Sequence, residues 1–325
     1  MIYENLVLDE ERALYDIEDS TVKNCTFSGP ADGESALKEC RNIKVDNCDF
    51  MLRYPFWHVT GAKITKSRMT ETCRAALWYD SDISIEKSKL HGIKALRECE
   101  NVAITECDII SDEFGWRCRG LDVKNSTLTS QYQFFECRDM KIDDLTMKGK
   151  YSFQYIENVE IKSSVFKTKD AFWHAKDVTV YDTVLEGEYL GWYSENLKLV
   201  RCHIKGTQPL CYCKGLVLED CTMEDCDLSF ENSDVKATVK GQILSGDFEG
   251  FIKGLKKTLF TKAAQWVFEM KIIEALKENK IDYIVLAGFM LILSKNFQHS
   301  LYMMHNACPE FLRSFHQNGV QNQDF

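Results

Sequence analysis

An all-β fold, a right-handed parallel β-helix of 19-residue coils followed by a small partial α/β segment, is what the sequence predicts. Three observations carry the β-helix. An apolar anchor recurs at Val22, Val45, Ile64, Ile85, Ile104, Val123, Ile142, Ile161, Val180, Leu199 and Leu218, with Ala237 closing the series, and from Ile85 onward every step is 19 residues. A second apolar residue two places earlier, as at Ile43, Ile83, Val102 and Leu121, points alternate side chains the same way, which is the period of a strand. Eight places before the anchor, Leu14, Leu37, Phe56, Leu77, Leu96, Phe134, Phe153, Phe172 and Leu210 mark a further strand. Three short strands at a fixed period describe a coil that buries its inward rows only by stacking on the next coil.

Within the coil, a small residue follows the anchor by three places (Cys25, Cys48, Ser67, Ser88, Cys107, Ser126), and a large apolar one follows it by five (Phe27, Phe50, Met69, Leu90, Ile109). The small residue predicts a bend between two strands. The register covers residues 1–243, about twelve coils, so despite the length of 325 residues this part reads as one solenoid. At the sheet spacing of about 4.8 Å per coil it should be about 55 Å long. Residues 244–325 form the second segment.

Acidic residues outnumber basic ones, 50 to 40, for a net charge of −10, which argues against nucleic acid or an anionic membrane surface as the main partner. No run approaches the ~20 apolar residues of a membrane span. The opening stretch, residues 1–10, is mixed and acidic rather than a signal peptide, which points to the cytoplasm. Many of the 14 cysteines fall in the repeat register, in columns such as Cys25, Cys48, Cys107, Cys202 and Cys221. They read as small buried hydrophobes in a reducing compartment rather than as a disulfide framework or a zinc site.

If the strand before the anchor points Leu and Phe inward, its next residue faces outward. That column reads Tyr15, Lys38, Trp57, Trp78, Arg97, Trp116, Phe135, Gln154, Trp173, Trp192, Cys211 and Phe230. Lys38, Arg97 and Gln154 support the outward assignment, since a core does not accept charges. Such an aromatic row with cations suits flat rings, sugars above all, with Trp57, Trp78, Arg97, Trp116, Arg117, Trp173 and Trp192 as the ligand-binding set. The column beside it adds His58, Tyr79, Glu98, Arg117, Glu136, Tyr155, His174 and Tyr193. Glu98 and Glu136, two coils or about 9.6 Å apart, have the wider spacing of an inverting glycosidase pair. Arg117 between them, however, should hold both ionised, which is wrong for a general acid. His174 lies between Tyr155 and Tyr193 and is expected to hydrogen-bond to one of them, in a structural or a catalytic role.

The stretches 34–40 (Glu-Ser-Ala-Leu-Lys-Glu-Cys), 53–58 (Arg-Tyr-Pro-Phe-Trp-His), 70–79, 114–120 and 206–213 resemble an uncharacterised bacterial family of right-handed β-helix proteins, a domain of unknown function. The resemblance spans nearly all of residues 3–243. It implies a pectate-lyase-like β-helix and no established activity.

After Gly241 the register stops. Residues 251–280 carry apolar residues at helical spacing, and 281–286 read as a buried strand ended by Ala287-Gly288. The run from Lys271 to Ser294 resembles glycinamide ribonucleotide formyltransferase. The resemblance implies a folate site after Ala287-Gly288-Phe289-Met290, and 10-formyltetrahydrofolate as cofactor only if this segment is active. Asn306 matches the asparagine of that family's catalytic Asn-x-His-Pro motif, but Cys308 stands at the histidine, and the family's glycine-rich phosphate loop is replaced by β-helix. A thiol does not reproduce the proton handling of an imidazole, so the segment reads as an inactive cap on the solenoid. The leading expectation is therefore a β-helix that binds a sugar-like small molecule along its stripe. The rivals are carbohydrate cleavage, formyl transfer, and a scaffold that docks a protein or associates with itself.

Overall fold

The structure, a computed structural model, describes residues 1–29 and 35–239. The expected α/β segment, 244–325, with Asn306 and Cys308, lies outside the described residues. Within them the chain is an all-β parallel solenoid. The anchors stand opposite one another, rung on rung, from Tyr3↔Val22 and Val22↔Val45 through Leu199↔Leu218 to Leu218↔Ala237. Tyr3 is thus the first rung, one coil before the series that the spacing reveals. The residues five places on form a second in-register row, with pairs such as Phe27↔Phe50, Leu90↔Ile109 and Phe166↔Leu185.

From Val22 and Phe27 onward, beyond the half-buried Tyr3 of the first rung, both rows are sealed from solvent, as are Phe134, Phe153 and Phe172. These three rings stack face to face, 5.0 Å apart at 8° and 5.0 Å at 6°. A fully buried Phe contributes roughly 1.5–3 kcal/mol of transfer free energy, and an in-register ladder collects that on every coil.

The bend after the anchor shows why its small residue is Cys or Ser. The residue just before the bend is left-handed, for example Lys66 (φ 49°) and Asn125 (φ 47°), so the next amide turns inward away from the sheet. The side chain of the next coil accepts it: Cys48 N–H donates to Ser67 Oγ (3.1 Å) and Cys107 N–H to Ser126 Oγ (3.0 Å). The same hydroxyls donate to carbonyls two residues back, Ser67 to Thr65 (2.9 Å) and Ser126 to Lys124 (2.7 Å). A thiol or hydroxyl fits because it can accept and donate at once, whereas an apolar residue would strand a buried amide.

The third strand is shorter in reach than the periodicity predicts. It forms a five-stranded sheet from Phe56–Trp57, Leu77–Trp78, Leu96–Arg97, Glu113–Trp116 and Tyr132–Gln133. In later coils the inward residue itself is left-handed (Phe153 φ 58°, Phe172 φ 56°), and the chain curls instead of extending. Two inward positions also move. Leu14 is only half-buried and Ala13 takes the sealed place. Gly115 falls where an inward side chain is due, and Phe114 fills the space by a bulge in which Leu96 faces Phe114 while Arg97 faces Trp116. A Cβ on Gly115 would sit 3.0 Å from the Phe134 ring, at φ +69°, so only glycine suits the bulge.

Candidate functional site

The expected stripe lies one residue beyond the buried row, and its members from Trp57 to Trp192 are half-exposed. Its far end does not belong to the surface: Cys211 and Phe230 are buried. The adjacent column is more exposed, with Tyr79 at 46%, Tyr155 at 49% and Tyr193 at 44%.

Two consecutive residues point outward because the second sits at a corner. Asp16, Glu39, His58, Tyr79, Glu98, Arg117, Glu136, Tyr155, His174, Tyr193 and Tyr212 all have φ between 53° and 62°. Left-handed backbone breaks strand alternation and throws both side chains to the same surface. The amide after the corner is again caught from the next coil, as when Val59 N–H donates to Asp80 Oδ1 (2.8 Å) and Cys213 N–H to Ser233 Oγ (2.9 Å). Asp80 is fully buried, and burial holds its carboxyl well above the usual carboxylate range.

The rings are arranged as slats. Trp57 and Trp78 stack at 5.5 Å and 9°, Trp173 and Trp192 at 5.6 Å and 6°. Lys38 Nζ lies 4.2 Å from the Trp57 ring centre, and the Arg97 guanidinium 5.6 Å from that of Trp116. Ring faces are therefore used between coils, and edges and polar atoms meet the outside. Trp116, Trp173 and Trp192 donate Nε1–H to the carbonyls of Tyr132, Tyr189 and Gln208 in the next coil, at 2.8, 2.8 and 2.7 Å. Trp78 instead donates to Glu98 Oε2 (2.9 Å), and the buried Trp57 Nε1 has no partner.

His174 differs from expectation. It stacks face to face between Tyr155 (5.0 Å, 11°) and Tyr193 (5.1 Å, 8°), because in-register corner residues place ring over ring rather than edge to hydroxyl. Arg117 does stand between the two glutamates, 3.5 Å from Glu98 and 2.7 Å from Glu136. Burial alone would raise the Glu98 carboxyl, but hydrogen bonds from Tyr79 and Trp78 and the charges of Arg97 and Arg117 bring it below the usual glutamate value. That environment keeps Glu98 ionised and unsuited to protonating a leaving group. The described cysteines are all buried and unpaired, and burial pushes Cys73 and Cys211 up to about 12, far from a nucleophilic thiolate.

Sequence reasoning passed over the left-handed corners, although one signal was present. Asp19, Asn42, Gly61, Asp82, Asn101, Gly120, Asp139, Asn158, Asp177, Asn196 and Gly215 recur in register, all at φ between 47° and 72°. Asn, Asp and Gly are the residues that enter this region most readily.

No curated protein matches the chain in sequence. Among solved structures, an exopolygalacturonase from Thermotoga maritima is 8% identical with a TM-score of 0.39, over 74% of this chain and 85% of that one. PfbA, a surface adhesin of Streptococcus pneumoniae, is 12% identical with a TM-score of 0.31, over 74% of both chains. DFA-IIIase from Arthrobacter chlorophenolicus is 10% identical with a TM-score of 0.30, over 81% of this chain and 82% of that one. These are distant likenesses of fold. Residues 1–249 match the family model described as "Protein of unknown function (DUF3737)", and the chain belongs to that family.

Proposed function

We propose that this chain binds a sugar-like ligand along the double column from Trp57 to Tyr193, without cleaving it. One observation carries the reading: exposed Tyr, His, Glu and Arg occupy a left-handed corner where Asn or Gly would cost less, so their side chains are favoured over backbone comfort. What they present is a comb of phenol hydroxyls, charged heads and ring edges at strand spacing, suited to a chain of hydroxyl-rich rings. Against cleavage stands Glu98, ionised and tied to Arg117, with Glu136 on the same guanidinium.

The test is calorimetric titration of the full chain with neutral and acidic oligosaccharides. Trp116→Ala and Trp173→Ala should each weaken binding by about tenfold or more, roughly 1.4 kcal/mol, with the β-sheet circular dichroism retained. Unchanged affinity in both variants removes the proposal. Product formation that disappears in Glu98→Gln while affinity persists would replace binding by cleavage.

A further inference from the structure

A third row of left-handed residues runs along the other side of the stripe, three places before it. Tyr151, Asp170, Tyr189 and Gln208 hold φ of 49°, 53°, 57° and 45°, and Tyr132 stands in the same register one coil earlier. This row forms a lip. The Tyr189 ring packs edge-on against Trp192 (5.3 Å, 74°), the Tyr132 ring against Trp116 (6.4 Å, 78°), and Tyr132 and Tyr151 stack at 4.8 Å and 13°. The stripe leans on the lip one coil on: Trp116, Trp173 and Trp192 donate to its main-chain carbonyls, and Gln154 Nε2–H donates to Asp170 O at 3.1 Å. Between the lip and the exposed corner column of Tyr155, His174 and Tyr193, the stripe is therefore the floor of a groove.

In the middle of this groove the aromatic pattern is interrupted. On the floor Gln154 stands between Phe135 and Trp173, and on the lip Asp170 stands between Tyr151 and Tyr189. Asp170 shares the backbone angle of its two neighbours, so its side chain leaves the chain in the direction of theirs, over the floor. It is 7% exposed, and among the described residues no hydrogen bond or ion pair reaches its carboxylate. Its main chain does not call for an acid, since the N–H donates to Glu188 O (2.9 Å) and the C=O accepts from Gln154. Lys169, next to it in the chain, is turned to Glu188 at 3.0 Å. Burial raises the Asp170 carboxyl above the usual carboxylate range, Lys169 draws it down and Glu188 pushes it up again. A nearly buried acceptor without a donor costs free energy in the empty groove, and hydroxyl donors from a ligand would offset that cost. An anionic ring would meet Asp170 as a like charge. An ammonium would find ring faces already taken, Tyr193 lying between His174 and Tyr212.

We propose that Asp170 is the specificity-determining acceptor of the groove, taking hydroxyl hydrogen bonds from one ring of a neutral saccharide that lies between Phe135 and Trp192, and that uronic-acid chains are rejected there. This rests on the saccharide-binding reading above and narrows its ligand class from sugar-like to neutral and hydroxyl-bearing.

The experiment titrates the full chain with neutral tetramers of glucose, galactose, mannose and xylose, and with the tetramers of glucuronic acid, galacturonic acid and glucosamine. At least one neutral tetramer should bind, about tenfold or more tightly than either acid. Asp170→Ala should weaken that neutral ligand by about tenfold or more, in the range of hydrogen bonds to a charged group. Asp170→Asn, which keeps the shape and removes the charge, should narrow the preference over the acids. Neither change should lower the melting temperature, because the carboxylate has no partner to lose. Neutral binding untouched by both Asp170 changes but lost in Trp173→Ala overturns the proposal and leaves the stripe reading in place. So does acid binding that equals neutral binding, or a variant that melts earlier in step with its loss of affinity. Glucosamine binding that exceeds glucose binding and depends on Asp170 would assign the carboxylate to an ammonium, and overturns it as well. No binding by any tetramer overturns both readings.

Discussion

Two of the outward left-handed corners that the coils make, those on either side of the buried residue after the stripe, are built from different residues. One column, Asp19 to Gly215, is Asn, Asp or Gly throughout; the other, Asp16 to Tyr212, is mostly Tyr, His, Glu and Arg at the same backbone angle. Left-handed backbone costs an ordinary L-residue roughly 1–2 kcal/mol, and Asn or Asp less through local hydrogen bonding. In the first column the backbone chooses the residue. Its side chains then join coil to coil, Asn101 to Asp82 at 3.1 Å and Asn196 to Asp177 at 2.8 Å, while Asn42 pairs with Asp19. In the second the side chains choose, and ring stacks such as His58 on Tyr79 (5.3 Å) and Tyr193 on Tyr212 (4.9 Å) offset the strain. The teaching is that repetition alone does not mark a site. A repeated left-handed position filled by stacked rings, which it disfavours, is what makes this column the candidate.

The largest break in this comparison is expected behind the second corner. Asp80 follows Tyr79 in a column that elsewhere holds Cys40, Val59, Cys99, Cys118, Cys137, Ile156, Ala175, Ser194 and Cys213, and it is 1% exposed. An acid raised on folding supports the native state only below its unfolded value of about 3.9, and that support is lost as pH rises through the folded value. Asp80→Asn keeps the acceptor for Val59 N–H and removes the titration. It should therefore stabilise the protein near neutral pH and much less near about pH 4. Melting curves of both proteins across pH decide this; a gain that does not grow with pH would show Asp80 to be an ordinary packed group.

Next in size is the first corner. A Cβ at Gly120 would meet Asn101 Oδ1 at 2.8 Å, at φ +68°. Gly120→Ala should cost about 2 kcal/mol in urea unfolding, against a few tenths for an unstrained exposed site. The finest distinction comes from swapping logics. Asn158→Ala removes both the left-handed preference and the bond to Asp139 (2.6 Å), and should cost about 1 kcal/mol. Tyr155→Asn trades ring stacking for an easier backbone and should change stability by less than about 0.5 kcal/mol while weakening saccharide binding. If Tyr155→Asn instead cost as much as Asn158→Ala, the ring column would be structural in the same sense as the Asn column.

The inward rows were legible because burial repeats with the chain: Val45 over Ile64 and Phe27 over Phe50 follow from a fixed step and period-two alternation. The outward position of Trp57 and Trp78 followed from the same parity. The approach of Arg117 to Glu98 and Glu136 followed from its lying one coil from each. The exchange of His174 from hydrogen bonding to stacking did not, since spacing fixes which residues meet but not the torsions that turn one ring over another. Nor did the shift from Gly115 to Phe114, which depends on how much room Phe134 leaves.

By itself, then, the sequence determined the coil, its register and the ladder of buried residues, because hydrophobic burial at a 19-residue step admits one way of stacking. Only the tertiary structure decided where the backbone turns left-handed, which buried amides are caught by Ser, Cys or Asp80, and that the stripe's ring faces are consumed between coils. Those outcomes depend on angles and distances between neighbouring coils, which no single repeat contains.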